Sequence, residues 1–264
     1  MRNIRLVCRY DGTGFHGWQR QPGRTTVQEV IETALFRMTG EAVTLVGSGR
    51  TDAGVHALAQ VASFRTSSRI PPEGFVRGLN SLLPHGIVIL SAEEVPPDFH
   101  ALRDAIGKLY RYHIVVSPVR DPFWDHRAWV IPRSLDVASM RAAAAHLVGT
   151  HDFSAFQASG GSAKTSVRTV FHAFLEPCPC PFFPPIDGSA HYVFSIAADG
   201  FLRYMVRNIV GTLVDVGTGR IESQSIPGII KSRDRSRAGM TAPPYGLYLE
   251  RVFYLPEDIP MRFP

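Results

Sequence analysis

An arginine and an aspartate lie two residues apart in a glycine-rich segment, residues 47–54, which reads Gly-Ser-Gly-Arg-Thr-Asp-Ala-Gly. Glycine lets the backbone approach a ligand closely. A nearby cation, here Arg50, favours the ionised form of a carboxyl group. An ionised carboxylate is a usable nucleophile or base. The spacing therefore makes Asp52 a candidate catalytic residue.

The same segment also has a purely structural interpretation, as a strand-connecting loop with an Asx turn at Asp52. It matches neither the P-loop nor the dinucleotide-binding fingerprint. No second acidic residue lies close by, so a local pair of carboxylates for acid–base catalysis is not indicated. The residues alone leave both interpretations open.

Strands and helices on either side must position this segment. Alternation of apolar and polar residues predicts strands, and a 3.6-residue period predicts helices. Thr26 and Glu29 have capping-box spacing at the start of the first helix, and Gly40 is its expected end. The predicted elements of the first half are strands over residues 4–10, 43–46, 59–64 and 87–90, a helix over 27–38 and another after Pro72.

The second half repeats the same order of elements. A Pro-rich insertion, residues 177–185, interrupts it. The predicted elements are strands over residues 109–116, 169–175, 191–197 and 247–254, helices over 137–148 and 202–216, and a shorter helix after Pro227.

Two β-α-β-β-α-β units predict an α+β fold of two similar ferredoxin-like halves. We expect a mixed, mostly antiparallel sheet with the helices packed on one face and a cleft between the halves. The join falls near residues 96–107, where Pro96, Pro97 and Gly107 break the pattern. This predicts an N-terminal half, residues 1–105, that carries the Asp52 segment, and a C-terminal half, residues 106–264, that completes the cleft.

Composition narrows the class of protein. The chain has 264 residues, of which 45% are hydrophobic, and a net charge of +5, which excludes a disordered or collagen-like chain. Its cations comprise 25 Arg and 3 Lys. This bias suits a polyanionic partner but also the codon preference of a GC-rich genome.

Three cysteines do not make a disulfide framework or a zinc set. With no signal peptide and no membrane-length apolar run, a cytoplasmic protein is expected.

Residues 49–57, Gly-Arg-Thr-Asp-Ala-Gly-Val-His-Ala, resemble the signature of the tRNA pseudouridine synthase A family. Six further blocks resemble that family's motifs in the family's order, which makes the resemblance specific. These blocks are residues 10–19, 26–28, 99–101 with 108–112, 151–156, 201–211 and 242–247.

The resemblance implies an enzyme that isomerises uridine to pseudouridine at positions 38, 39 and/or 40 of the tRNA anticodon stem-loop. It also implies a homodimer, with a deep basic cleft between the two halves of each chain. The family's catalytic aspartate maps to Asp52, its active-site arginine to Arg50 and its substrate-contacting tyrosine to Tyr110. The reaction neither oxidises nor removes atoms, so no cofactor and no metal are expected.

Several other residues receive roles from these blocks. Arg50 suits the place of a flipped-out base, and Tyr110 is a candidate for stacking on uracil or a core aromatic. Arg203 and Arg207, four residues apart, are expected on one helix face, in contact with phosphates or simply solvated. The four histidines in the matched blocks are interpreted as structural or RNA-contacting; they are His16, His56, His100 and His151.

Two departures and two rival functions remain. Leu102 stands where the family usually has arginine, and Arg103 follows it. The insertion at residues 177–185 is longer than the family's usual turn, and we interpret it as a variable loop.

The main rival is a non-catalytic RNA-binding protein on the same fold; a hydrolase with Asp52 as its base ranks lower. The sequence does not choose among attack of Asp52 at C1′, addition at C6 and proton removal from C2′.

Overall fold

The computed structural model describes residues 1–161, 163–178 and 186–259. The chain divides into two compact units: Met1–Lys108 with Tyr248–Pro264, and Leu109–Leu247. These units differ from the predicted halves at the C-terminal end, because the last strand groups with the first unit. The functional division into residues 1–105 and 106–264 stays a prediction.

The first unit has the predicted element order, β-α-β-β-α-β, to which the last strand of the chain is added. The short strand β2 starts three residues later than expected, and β3 and β4 extend further. The elements are β1 (Arg2–Tyr10), α1 (Val27–Thr39), β2 (Val46–Gly47), β3 (His56–Thr66), α2 (Pro72–Leu82), β4 (Ile87–Val95) and β10 (Leu247–Phe253).

The sheet of the first unit is mixed but mostly antiparallel, as predicted. β1 lies between β3 and β4 and is antiparallel to both. Two strands share the other edge of β3: β2 is antiparallel to it, with Val46 opposite Ser63, and β10 is parallel to it, with Tyr248 opposite His56. The α+β fold class predicted from the alternation is confirmed.

Alternate residues of β1 and β3 divide between two faces of this sheet. Ile4 is fully buried and pairs with Phe64, whose ring packs edge-on against Phe75 of α2 with centroids 5.4 Å apart. This face therefore meets the helical layer, in which α1 packs against α2. Arg5 and Ser63, which also pair, lie on the face opposite α2.

The ends of α1 show one prediction confirmed and one wrong. Gly40 ends the helix with a φ of 72°, a left-handed conformation that glycine adopts without cost. Thr26 is the N-cap residue, but its side chain makes no capping hydrogen bond, and Oγ1 is buried without a partner among the described residues. The capping box therefore does not form.

The second unit contains two short strands, β6 and β7, that the sequence analysis missed because they are only three and four residues long. Its sheet runs in the order β5-β9-β8-β7, with β6 parallel to β5, and α3 packs against α4 and β8. The elements are β5 (Gly107–Val116), β6 (Trp129–Ile131), α3 (Val137–Ala145), β7 (Gly149–Asp152), β8 (Val167–Pro177), β9 (Ala190–Ala198), α4 (Met205–Gly217) and α5 (Ile226–Ser232).

Of the Pro-rich insertion, only Pro177 and Cys178 belong to the described residues, so its interpretation as a variable loop stays a prediction. Across the described parts of the chain, none of the helices combines the length and apolar character needed to cross a membrane.

Candidate active site

Residues 48–55, which we call the Asp52 loop, connect β2 to β3. Buried polar bonds fix its first residues. Ser48 donates its backbone N–H to the Val61 carbonyl oxygen at 2.7 Å and its hydroxyl to Gln60 Oε1 at 2.6 Å. Gln60 Nε2 donates to the Gly49 carbonyl oxygen at 3.0 Å. Because Ser48 and Gln60 are both fully buried, the path of the loop toward Arg50 is rigidly defined.

The middle of the loop is fixed by the N-terminal segment that follows β1. The Tyr10 and Thr51 hydroxyls are hydrogen-bonded at 2.8 Å, and the Trp18 N–H donates to the Thr51 carbonyl oxygen at 3.1 Å. A turn follows in which the Val55 N–H donates to the Asp52 carbonyl oxygen at 3.1 Å. The backbone of Asp52 is thus held on both sides, while its side chain is half-buried.

Two glycines allow this close approach of backbone to backbone. A Cβ on Gly12 would lie 2.1 Å from the Val55 carbonyl oxygen. A Cβ on Gly17, which has a φ of +85°, would lie 2.5 Å from the Thr51 carbonyl oxygen. Any other residue at either position would displace the Asp52 loop. Both glycines stand in the matched block of residues 10–19, but the sequence alone did not indicate this contact.

His56, at the end of the loop, is a structural residue. It is 3% exposed, and its Nδ1 accepts a hydrogen bond from the Gly12 N–H at 3.0 Å. Its ring stacks on that of Tyr248, with centroids 4.6 Å apart. One wall of the loop therefore depends on β10, from the far end of the chain.

Lys108 is a residue of the site that sequence reasoning missed, although it stands in a matched block. It is 9% exposed, and its Cε lies 3.1 Å from the position a Cβ on Gly49 would take. The aliphatic stem of Lys108 thus covers the start of the Asp52 loop. Arg50, in contrast, is exposed.

The other predicted site residues belong to the second unit. Tyr110, on β5, is 7% exposed and packs edge-on against Phe201 with centroids 5.0 Å apart. Only a small part of the ring is therefore accessible to a ligand. Its role in substrate contact stays a prediction.

The prediction that Arg203 and Arg207 share a helix face is wrong. α4 begins at Met205, and Tyr204, just before it, has a φ of 61°, so the helix does not extend back to Arg203. A left-handed conformation is rare for a bulky residue. Sequence periodicity could not show it, because the apolar pattern continues through Leu202 and Met205.

Tyr204 nevertheless brings the two arginines together. The guanidinium carbon of Arg207 lies 4.4 Å from the centroid of the Tyr204 ring, and that of Arg203 lies 5.2 Å from it. Both distances are within the range of cation–π attraction. We call these three residues the arginine–tyrosine cluster.

Backbone carbonyl groups fix both arginines of the cluster. Arg207 Nε donates to the Ala242 carbonyl oxygen at 2.8 Å, and the Ala242 N–H donates to the Arg207 carbonyl oxygen at 3.0 Å. Arg203 Nη1 donates to the Ser159 carbonyl oxygen at 2.7 Å. The neighbouring Gly160 leaves room for this guanidinium, since a Cβ there would lie 2.6 Å from Nη1.

Tyr112 lies two residues from Tyr110 on β5, and burial and a nearby charge both change the pKa of its phenol. Burial raises the pKa of the Tyr112 phenol well above its ordinary value, and the positive charge of Arg207 opposes this shift. The Tyr112 hydroxyl donates to the Pro243 carbonyl oxygen at 2.8 Å. Tyr112 is therefore a protonated anchor of the segment that holds Arg207.

Within the described ranges, the structure shows no cluster of three or more metal-ligating side chains. His151 Nε2 lies 3.0 Å from the Val148 carbonyl oxygen, and His100 Nδ1 accepts from two backbone N–H groups. Both histidines therefore have a structural role in their own segments.

Comparison with known proteins identifies the family. The family model described as tRNA pseudouridine synthase matches residues 6–102 and 143–255. This match includes the Asp52 loop and the arginine–tyrosine cluster. It places the chain among the pseudouridine synthases.

Related proteins align with this chain over nearly its whole length. A tRNA pseudouridine synthase A of Acetivibrio thermocellus is 51% identical over 254 residues, which is 96% of this chain and 100% of that protein. Those of Geotalea daltonii and Thermoanaerobacter sp. are 46% and 45% identical with the same coverage. The chain belongs to the tRNA pseudouridine synthase family, and the resemblance seen in the sequence is confirmed.

Proposed function

We propose that Asp52 is the catalytic carboxylate of an enzyme that converts uridine to pseudouridine in the tRNA anticodon stem-loop, at positions 38, 39 and/or 40. Family membership supplies the reaction and the tRNA substrate. The observation that carries the assignment of Asp52 is its half-buried side chain on a loop whose backbone is fixed on both sides.

The reaction is an isomerisation within one nucleotide. The N1–C1′ bond of uridine breaks, the uracil turns, and a C5–C1′ bond forms, so substrate and product have the same atoms. A single well-placed carboxylate suits such a reaction, as nucleophile at C1′ or C6 or as base at C2′. A rigid loop supports this role because positioning contributes several kcal/mol to catalysis.

The resemblance to the family supplies the proposed roles of the remaining site residues. A uridine in a stem must leave the base stack before it can react. Arg50 is exposed and long enough to occupy the place of the extruded base, and Tyr110 would stack on the uracil. Arg203 and Arg207 would bind phosphates, to which a fixed guanidinium donates two hydrogen bonds.

Assembly and cellular location are part of the same proposal. We expect a homodimer in the cytoplasm, with a basic cleft between residues 1–105 and 106–264 of each chain, because an L-shaped tRNA exceeds the reach of one 29.1 kDa chain. Closed twofold dimers are the commonest homo-oligomers. Light scattering of the active protein at micromolar concentration would give the mass of two chains; the mass of one would exclude the dimer.

Tritium release from tRNA labelled with [5-³H]uridine tests the catalytic assignment. Asp52→Asn should lower the rate by more than about 100-fold, or ~2.7 kcal/mol of barrier, while tRNA affinity changes little, because a carboxylate contributes little to holding a polyanion. Asp187→Asn is a matched control, since Asp187 is exposed on a loop of the second unit. It should leave rate and affinity unchanged.

The same assay separates the alternatives. An Asp52→Ala variant that kept more than about one hundredth of the wild-type rate would exclude Asp52 as the catalytic carboxylate. A wild-type protein that bound tRNA tightly but released no tritium would be the non-catalytic RNA-binding protein.

A further inference from the structure

A cavity of about 350 Å³ lies on the face of the first unit's sheet opposite α2. Two segments contribute to its lining: Ala42, Val43, Thr44 and Val46 from the first, and Asp98, Phe99, His100 and Arg103 from the second. Ser63 and Arg65 of β3 line it between them. None of these residues belongs to the Asp52 loop or to the arginine–tyrosine cluster.

The segment over this cavity is tied to the sheet by buried polar groups. Asn3 Nδ2 donates to the carbonyl oxygens of Pro96 and Phe99 at 3.1 and 2.8 Å. The Ala101 N–H donates to Ser63 Oγ at 3.3 Å. Asn3 and Ser63 are each 4% exposed. The cavity is therefore preformed and does not depend on a ligand to assemble it.

Its charge is predominantly positive. Arg65 and Arg103 are exposed. Arg65 Nη2 donates to the neutral Pro97 carbonyl oxygen at 3.0 Å, and Arg65 forms no ion pair among the described residues. Arg103 forms no ion pair with any residue that the structure describes. Asp98 is the acidic residue among those that line the cavity, so two guanidinium groups face one carboxylate.

His100 adds a hydrogen-bond donor. Its Nδ1 accepts from the backbone N–H groups of Leu102 and Arg103, both at 3.2 Å. A backbone N–H can only donate, so Nδ1 carries no proton and the ring proton is on Nε2. An N–H donor and two guanidinium groups in one cavity form a typical set of ligands for a phosphate.

We propose that this cavity binds a phosphodiester of the tRNA backbone outside the nucleotide that reacts, through Arg65, Arg103 and the Nε2–H of His100. The inference rests on the proposed function, because that function supplies the RNA. Arg103 is the arginine that follows Leu102, the position where the sequence departs from the family pattern. Its place in this cavity gives it a role.

Salt dependence of tRNA binding tests the proposal. Arg65→Gln with Arg103→Gln should lower tRNA affinity and reduce the slope of log K against log salt by about 0.7–0.9, the value for one lost phosphate contact. Arg65→Lys with Arg103→Lys keeps the charge and should restore most of the slope. Arg77→Gln, at an exposed position on α2, is the matched control and should leave the slope unchanged.

Ethylation interference locates the phosphate. Ethylation of a phosphate outside the nucleotide that reacts should weaken binding to the wild type and to Arg77→Gln, but not to the double glutamine variant. If the double glutamine variant shows the wild-type slope and interference pattern, the proposal is wrong.

Two further results would distinguish this proposal from binding of a free anion and from the catalytic proposal. Suppose that inorganic phosphate binds to the wild type but not to the double glutamine variant, and that no ethylated position distinguishes the two proteins. The cavity then binds a free anion, and the tRNA proposal fails. If wild-type protein releases no tritium yet the interference pattern holds, the catalytic proposal fails and this one stands.

Discussion

The Asp52 loop and the arginine–tyrosine cluster achieve fixed positions by opposite means. In the first, small residues allow main chain to pack on main chain: Gly12 and Gly17 meet the carbonyl groups of Val55 and Thr51 directly. In the second, a large side chain in a left-handed conformation, Tyr204, organises two flexible cations.

This difference follows from what each region has to do. A carboxylate that acts on one bond needs a position fixed to a fraction of an ångström, and buried hydrogen bonds such as those of Gln60 supply it. The guanidinium groups of the cluster are also fixed, that of Arg207 by the Ala242 carbonyl oxygen and that of Arg203 by the Ser159 carbonyl oxygen. The proposed roles therefore both use fixed groups: a carboxylate placed by main-chain packing, and cations placed by one aromatic ring and two carbonyl oxygens.

Among the changes that test this comparison, Gly17→Ala should have the largest effect. The new Cβ would lie 2.5 Å from the Thr51 carbonyl oxygen at a positive φ, so the loop must move or the protein must unfold. We expect a loss of about 3 kcal/mol in the free energy of unfolding and more than tenfold slower tritium release. Gly14→Ala is the control, since a Cβ at Gly14 has no atom within 4 Å. Equal effects of the two changes would contradict the comparison.

Gln60→Leu should have the next largest effect. It removes the partners of the buried Ser48 hydroxyl and of the part-buried Gly49 carbonyl oxygen. A buried group without a partner costs ~1–3 kcal/mol, so loss of the Ser48 bond alone should lower stability by about 2 kcal/mol. Turnover should slow, with tRNA affinity largely kept. Denaturant unfolding measures the stability. Gln21→Leu, on the exposed N-terminal loop, should change neither quantity.

Tyr204→Asn tests the other region. Asparagine adopts the left-handed conformation readily but offers no ring to Arg203 and Arg207. Loss of cation–π attraction of roughly 0.5–1 kcal/mol per arginine, or about 1–2 kcal/mol for the two, should weaken tRNA binding about fivefold to thirtyfold. Tyr204→Phe keeps the ring and should bind as the wild type does. A variant that slowed turnover at saturating tRNA without weakening binding would place the cluster in catalysis instead.

The smallest effect concerns Cys8, which pairs with Gln60 across the sheet. Burial raises the pKa of its thiol from 9.0 to about 12. Below pH 9 the thiol is neutral in both states, so it adds no pH dependence. Above pH 9 the unfolded state loses the proton and the folded state keeps it, so stability falls by about 1 kcal/mol between pH 9 and pH 10. Cys8→Ala should remove that share of the decline in unfolding experiments at these two pH values.

The sequence predicted those parts of the fold that depend on local pattern. The helix from Val27, its end at Gly40 and the order of strands in the first unit follow from periodicity and one special residue. β6 and β7 were missed because three or four residues carry no period. The left-handed Tyr204 was missed because tertiary packing, not local preference, imposes it.

The residues of the candidate site show the same distinction between local pattern and tertiary contact. Asp52 and Arg50 could be proposed from the sequence because their motif is contiguous. Gln60, Lys108 and the glycine contacts could not, because each depends on which distant segments meet. The Thr26 capping box failed because correct spacing does not guarantee the rotamer that makes the bond.

The pairing of β10 with β3 imposes an order on biosynthesis. During translation, β1 to β4 leave the ribosome early and can fold together, since domains fold from the N-terminus as they emerge. The edge of β3 at His56 and Ala57 lacks its partner until residues 248 and 249 follow, and so does the ring that stacks on His56. A nascent chain therefore carries an incomplete wall beside the Asp52 loop, with an open strand edge that invites pairing with other chains. The edge closes only after residues 248 and 249 have been synthesised, so uridine chemistry by this protein waits for β10 to emerge.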